Sequence, residues 1–131
     1  MKKYFVLRQE IYEASVPEAV KDIHVNLKNR QHAIDEYLYG PANPNEPGDY
    51  WKKLGNIWDI PEQEASTMRC GNCAAFNIKS SMRKAIADHI GDGDNGMDVV
   101  NLANLGYCEL FDFKCAGDRS CAAWLTNGPL K

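Results

Sequence analysis

Long apolar runs are missing from this chain of 131 residues. Nothing approaches the roughly 20 consecutive apolar residues of a membrane-spanning helix. The opening Met-Lys-Lys-Tyr-Phe-Val-Leu-Arg-Gln-Glu has no apolar core long enough for a secretory signal. Charge of one sign is scarce too: 15 Lys and Arg against 18 Asp and Glu leave a net charge of -3, with the signs interspersed. No basic field is offered to nucleic acid and no cationic face to a membrane. Glycine-rich phosphate loops and nucleotide fingerprints are absent as well. A soluble protein made in the cytoplasm is expected, of a length that suits one ordinary domain or a small module with an equally small extension.

Cysteine, by contrast, is concentrated. All 5 thiols lie in the second half, as Cys70-Gly71-Asn72-Cys73, Cys108, Cys115 and Cys121. An odd number cannot all pair internally, and in a reducing compartment clustered thiols serve as metal ligands or catalytic groups rather than as staples. Three segments couple a thiol to a ring: Cys73-Ala-Ala-Phe76, Cys108-Glu-Leu-Phe111 and Cys121-Ala-Ala-Trp124. That pattern points to a metal centre walled in by aromatics. Zinc commonly takes two Cys-x2-Cys knuckles, and only one is present here. An iron-sulfur cube also takes four thiolates, but it accepts them singly from separate loops and depends on surroundings that exclude water. The cube is the favoured reading and zinc the alternative.

Catalytic candidates are weaker, and the chain does not read as an enzyme. Cys115 with His89 or His24 would make a thiol and base, but no spacing brings them together and the neighbouring thiols give a simpler role. The 3 histidines, His24, His32 and His89, read as surface or cap residues. The run Asp92-Gly-Asp-Asn-Gly-Met-Asp98 lacks the Gly and Glu positions of a calcium-binding EF-hand and reads as a polar turn.

The organisation follows from periodicity and punctuation. Residues 3–12 suit a short strand or an arm laid on a partner. Ser15 before Val16-Pro17-Glu18 has capping-box form, and Val20, Ile23, Leu27, Ile34, Tyr37 and Leu38 give one apolar face to a helix over 16–39. Gly40-Pro41 ends it, and the proline-rich stretch 40–49 is a strap. Tyr50, Trp51, Leu54, Ile57 and Trp58 share one face of a short helix. Its tryptophans either lock the long helix onto the cysteine module or, as partner-binding residues, anchor Trp51 and Trp58 on another protein. A further helix is expected from Ser80-Ser81 to His89-Ile90, stopped by Gly91. The architecture expected is helical with irregular loops, a small α+β arrangement being the alternative. Residues 1–67 form an N-terminal arm, long helix, strap and tryptophan cluster, and residues 68–131 a loop-rich cysteine module.

The three cysteine segments, Cys70 to Phe76, Gly106-Tyr-Cys108-Glu-Leu-Phe111 and Ser120-Cys121-Ala-Ala-Trp124, resemble those of the high-potential iron-sulfur proteins over about residues 68–130. The resemblance implies a [4Fe-4S] cluster ligated by Cys70, Cys73, Cys108 and Cys121 and lined by Phe76, Phe111 and Trp124. Cys115 is extra, and becomes an alternative ligand if the loop folds differently. The helix inserted between Cys73 and Cys108 and the N-terminal extension depart from that family. A second set, Arg69 to Phe76, Gly106 to Cys108, Asp112 to Cys115, Cys121 to Trp124 and Gly128-Pro129, is similar to small proteins of tailed phages of aquatic bacteria, cyanophages among them. This implies a structural or assembly component of a virion, made in the cytoplasm and partnered by other virion proteins, in which the cluster staples the C-terminal module. A small electron carrier or redox sensor is the alternative, and a zinc-stabilised structural protein a further one.

Overall fold

The computed structural model describes residues 16–90 and 95–131. The arm expected over 3–12, the Ser15 cap and the Gly91 stop lie outside them. Among the described residues the chain is mixed and loop-rich, with six α-helices and one three-stranded antiparallel sheet. The small α+β alternative thus describes it better than helices and loops alone.

The first apolar stripe does not belong to one helix. Asp22, in extended conformation, closes α1 (Glu18–Lys21), and its carboxylate accepts the His24 N–H at 2.9 Å to open α2 (Ile23–Tyr37). The break turns the stripe off its face. Val20 stays buried, whereas Ile23 and Leu27 are 53% and 52% exposed, and α2 buries Asn26 and Ala33 instead. The left-handed Leu38 then lets the Tyr39 N–H bond the Ala33 carbonyl at 3.0 Å, and the proline strap follows.

As expected, Tyr50–Trp58 form a helix, α3, followed by the short α4 (Glu62–Ala65). Trp51, Leu54 and Ala65 make a small buried cluster with Trp58 half-buried beside it. Helix α5 (Ser80–Asp88) also lies where the sequence places it, although Lys79 rather than a serine sits at its cap. The stretch read as a polar turn instead becomes α6 (Gly96–Leu102) at its second half. Gly96 permits this, because a side chain there would collide with the Ala87 backbone of α5.

Strands β1 (Phe76–Asn77), β2 (Leu105–Cys108) and β3 (Phe113–Ala116) are ordered β1-β2-β3, with Phe76 opposite Cys108, Cys108 opposite Phe113 and Gly106 opposite Cys115. Alternation assigns those five side-chain positions to one face and Leu105 and Tyr107 to the other. The second face closes on Val16, Ala19 and Val20 before and within α1, Ala85 and Ile86 of α5 and Val100 of α6. The first closes on the cysteine loops, with Ala33 and Tyr39 of the N-terminal segment.

The edge of β3 would otherwise expose unpaired backbone donors. The Asn26 side-chain oxygen accepts the Lys114 N–H at 2.7 Å, and the Tyr39 hydroxyl accepts the Ala116 N–H at 3.0 Å. Gly40 and Ser120 exchange two backbone bonds of 3.0 and 2.7 Å, and the Tyr50 hydroxyl lies 2.9 Å from the Ser120 carbonyl. Asn26, Tyr39, Gly40 and Tyr50 thus hold the described N-terminal residues against β3 and Ser120.

Candidate metal centre

The segments after Cys73, Cys108 and Cys121 are turns that fold the following backbone back onto the cysteine. After Cys73 the Phe76 N–H returns to the Cys73 carbonyl at 3.0 Å, and after Cys121 the Trp124 N–H returns to the Cys121 carbonyl at 3.2 Å. After Cys108 the Phe111 N–H lies 3.4 Å from the Cys108 Sγ. The Leu125 N–H lies 3.4 Å from the Cys73 Sγ, and the N–H groups of Ala75 and Ala123 serve Cys73 and Cys121. Such donors favour sulfur as thiolate.

Longer-range bonds bring the turns together. The N–H groups of Cys70 and Gly71 donate to the carbonyls of Arg119 and Gly117 at 2.6 and 2.8 Å, which sets the Cys70–Asn72 turn against the end of β3. The Asn72 side-chain oxygen accepts from the Arg69 N–H at 3.0 Å and from the Trp124 indole at 2.9 Å, tying the first turn to the last. Ser120, fully buried, donates to the Met68 carbonyl at 2.6 Å. The C-terminal run seals the top: Leu130 exchanges backbone bonds with Phe76 and Ile78, and Gly128 packs against the Cys73 carbonyl with no room for a Cβ.

The result is one cavity of about 20 Å³ whose wall carries all five thiols, with Ala75, Phe76, Leu110, Phe111 and Ala123 between them. That volume admits about one water. Cys115 shares that wall with Cys70 and Cys108. Among the described residues no group of three or more His, Cys, Asp or Glu side chains converges to hold a metal ion. The thiols ring a volume instead of meeting at a point. Soft sulfur donors, the absence of oxygen or nitrogen ligands among the wall's side chains, and rings that exclude water make up the donor chemistry of a thiolate-ligated soft centre.

The thiols are electrostatically unequal. Hydrogen bonding from Cys115, with help from the Phe111 and Leu110 N–H groups, outweighs burial and holds Cys108 down to about 7. Burial pushes Cys121 up to about 12 and also raises Cys73. Burial raises Cys115 as well, reinforced by its sulfur neighbours. Burial and nearby thiols also raise the hydroxyls of Tyr39 and Tyr50.

Of the residues expected at the centre, the four cysteines, Phe76 and Phe111 line the cavity, whereas Trp124 does not and packs against the same core. Phe76 is buried under the sheet, and the Phe111 ring lies 4.5 Å from that of Tyr37 and 6.4 Å from His32. Trp124 caps Asn72 and the Arg69 carbonyl with its indole N–H. Cys115, read as extra, is the most enclosed thiol at 2% exposed. Of the two tryptophans expected either to lock the long helix onto the cysteine module or to anchor a partner, Trp51 is 6% exposed beneath the Arg69 guanidinium, and the half-buried Trp58 donates to the Ala122 carbonyl at 3.1 Å. His24 and His89 do not line the cavity, and His89 Nδ1 bonds the Ala85 carbonyl of its own helix.

Tyr39, Asn72, Phe113 and Ser120 went unread in the sequence. Phe113 alternates with Cys115 in a strand-like Phe-Lys-Cys-Ala, a signal that was available; Asn72 lies inside the Cys-x2-Cys pair, with nothing to mark its side chain as the link to Trp124. No protein-family model matches the chain, and no curated protein or solved structure is significantly similar to it.

Proposed function

We propose that this is a small iron-sulfur protein in which a [4Fe-4S] cluster, held by Cys70, Cys73, Cys108 and Cys121, fastens the cysteine face of the fold. The carrying observation is the single thiol-lined cavity, entered by turns that supply backbone N–H groups to three of those four sulfurs. When bound, such a cluster ties thiolates from separate loops to one point and offers one-electron chemistry. Filling the cavity with more than a water requires the thiols to turn off one another, and their loops are short turns rather than long elements. A single zinc ion, the alternative, would need four sulfurs at one centre.

The role favoured is structural, as a component of a phage particle, on the strength of the resemblance to small phage proteins. In keeping with it, N-terminal residues such as Asn26, Tyr39 and Gly40 are hydrogen-bonded to the cysteine region, so that the centre fastens the whole described chain. One observation favours an electron carrier: Cys108 and Phe111 are only half-buried, which places the cavity near the surface.

The deciding experiment is anaerobic iron and sulfide analysis of the purified chain with its absorption spectrum. Four irons and four labile sulfides per chain are expected. One zinc without sulfide would sink the reading. Fast, reversible electron exchange with no association with any particle would select the carrier.

A further inference from the structure

Helix α2 carries an apolar stripe that the fold leaves outside. Its inner side rests on Asn26 and Ala33, whereas Ile23 and Leu27 are 53% and 52% exposed and Leu38, at its cap, is 39% exposed. With the half-buried Ile34 these residues stand four, seven and four positions apart, and at about 100° per residue they fall within roughly 60° of one another around the axis. None of them lines the thiol cavity. At its C-terminal end the stripe runs into a groove of about 280 Å³, walled by Ile34, Leu38, Pro41, Pro47 and Tyr50. One flank of the stripe is charged in two halves. Exposed His24 and Lys28 lie towards the helix start, and exposed Asp35 towards its end, where the Gln31 amide donates to its carboxylate at 2.8 Å. Among the described residues no salt bridge takes up Lys28 or Asp35.

A spacing of four, seven and four reads the same in both directions, which is what a helix facing its own copy in reverse requires. An antiparallel pair places Ile23 opposite the partner's Leu38 and Leu27 opposite the partner's Ile34. The two-fold axis then passes beside Arg30 and Gln31. Two guanidiniums would repel there, but Arg30 is drawn aside over the Tyr39 ring of its own chain, 5.7 Å from the centroid. Each flank meets its own copy reversed, so Lys28 comes opposite the partner's Asp35, and charges that would clash in a parallel pair attract in this one. The partner's Ile23, beside Leu38, covers the mouth of the groove. We propose that α2 is a homodimer interface, in which two copies of this chain pair antiparallel through Ile23, Leu27, Ile34 and Leu38. Its area is that of one short helix, so the pair is weak and forms as concentration rises.

The test is sedimentation equilibrium of the full chain over a concentration series, with or without iron and sulfide, since the stripe stands apart from the thiol cavity and the proposal does not rest on the iron-sulfur reading. The mass should rise from one chain to two. A single-chain mass up to roughly 1 mM would overturn the proposal, whether the stripe is then covered by residues 1–15 or by another protein. Leu27→Asp, at an exposed position, should keep the melting temperature while weakening dimerisation at least about tenfold. An unchanged dimer in that variant would place the interface elsewhere. The charges set the direction of the pair. Lys28→Glu and Asp35→Lys should each weaken self-association several-fold, and an equimolar mixture of the two should recover the wild-type affinity, because each chain then supplies the charge that the other needs. Single variants that dimerise like the wild type, or a mixture that stays monomeric, would overturn the antiparallel pairing.

Discussion

Tyr107 and Cys108 are neighbours in sequence, yet they face opposite cores. The Tyr107 side is an ordinary aliphatic core, with Val20, Ile86 and Val100 of three helices meeting against strand β2. The Cys108 side is assembled from turns whose contacts are mostly polar backbone bonds, rings and thiols. Aliphatic burial stabilises in proportion to apolar area and needs nothing from outside the chain. A face made of thiols gains less from burial, and several of these must stay protonated while no metal replaces the proton. The contrast locates where a metal would matter: one side of the sheet supports itself, and the other has the donors for a staple.

The comparison breaks most decisively at the ligands. Cys70→Ala should abolish iron and sulfide uptake and with it most of the thermal stability that loading adds, because Cys70 ties the first turn to the loop after β3 and shares the cavity wall with the other thiols. Metal analysis and thermal unfolding before and after loading check this. Wild-type iron content in that variant would move the ligand set elsewhere.

Next in size is the alkaline response of the metal-free chain. Cys121 and Cys73 have folded values above the ordinary 9.0 of a thiol, so the fold favours their protonated forms. The stability they contribute is complete below pH 9 and is lost as pH rises towards about 12, the Cys121 value. The sign is opposite for Cys108, lowered to about 7: its contribution is present above 9 and disappears as pH falls through 7. Melting temperature should therefore rise gently from pH 7 to 9 and fall beyond it, with a limiting slope of about 1.4 kcal/mol per pH unit for each titrating group. Loading should flatten the fall, since ligated thiolates have no proton to lose. A metal-free chain with unchanged stability at pH 11 would show that the thiols are less enclosed than their packing implies.

On the aliphatic face, Ile86→Ala should cost roughly 2–5 kcal/mol through lost burial and a cavity, without altering the metal content of folded protein. Denaturant unfolding read beside iron analysis tests both halves. Coupled loss of iron at matched folding would mean that the two faces are not independent. Gly106→Ala lies on the boundary. Its new Cβ would press on the Phe76 ring and the Asn77 carbonyl, costing roughly 1–3 kcal/mol and disturbing the cysteine face more than the aliphatic one.

What was legible in the sequence divides along the same line. Helices α3 and α5 announced themselves because the apolar residues that set their period also pack them. The long helix misled for the opposite reason: Asp22 interrupts a continuous apolar spacing, and a cap formed by one carboxylate leaves no mark on periodicity. The second half of the Asp- and Gly-rich stretch read as a turn, yet Gly96 starts a helix because α5 comes too close for any other residue. At the centre, the ring-bearing turns were visible as repeats of Cys-x-x-aromatic. The interior place of Cys115 was not, since it depends on the register of a four-residue strand with Gly106. Tyr39 was hidden outside the stripe, its hydroxyl satisfying an edge donor 77 residues away.

The smallest expected effect concerns the third cluster, which lies against the cysteine face from outside. Trp58→Phe keeps a ring in place but removes the N–H that reaches the Ala122 carbonyl, one residue after Cys121. A single neutral hydrogen bond contributes about 1 kcal/mol, so a modest drop in melting temperature with unchanged iron content is the expected outcome. The ring also lies 6.5 Å from Trp124, whose indole closes the Asn72 link, so near-ultraviolet dichroism should register the change even where stability barely moves. This variant separates packing from docking. If Trp58 serves the fold, the loss in stability appears in the isolated chain, and particle incorporation falls only as far as folding does. Normal stability in solution combined with poor incorporation into a particle would instead assign the ring to a partner surface, and the cysteine face would then rely on the first turn, β3 and Tyr39 for its support.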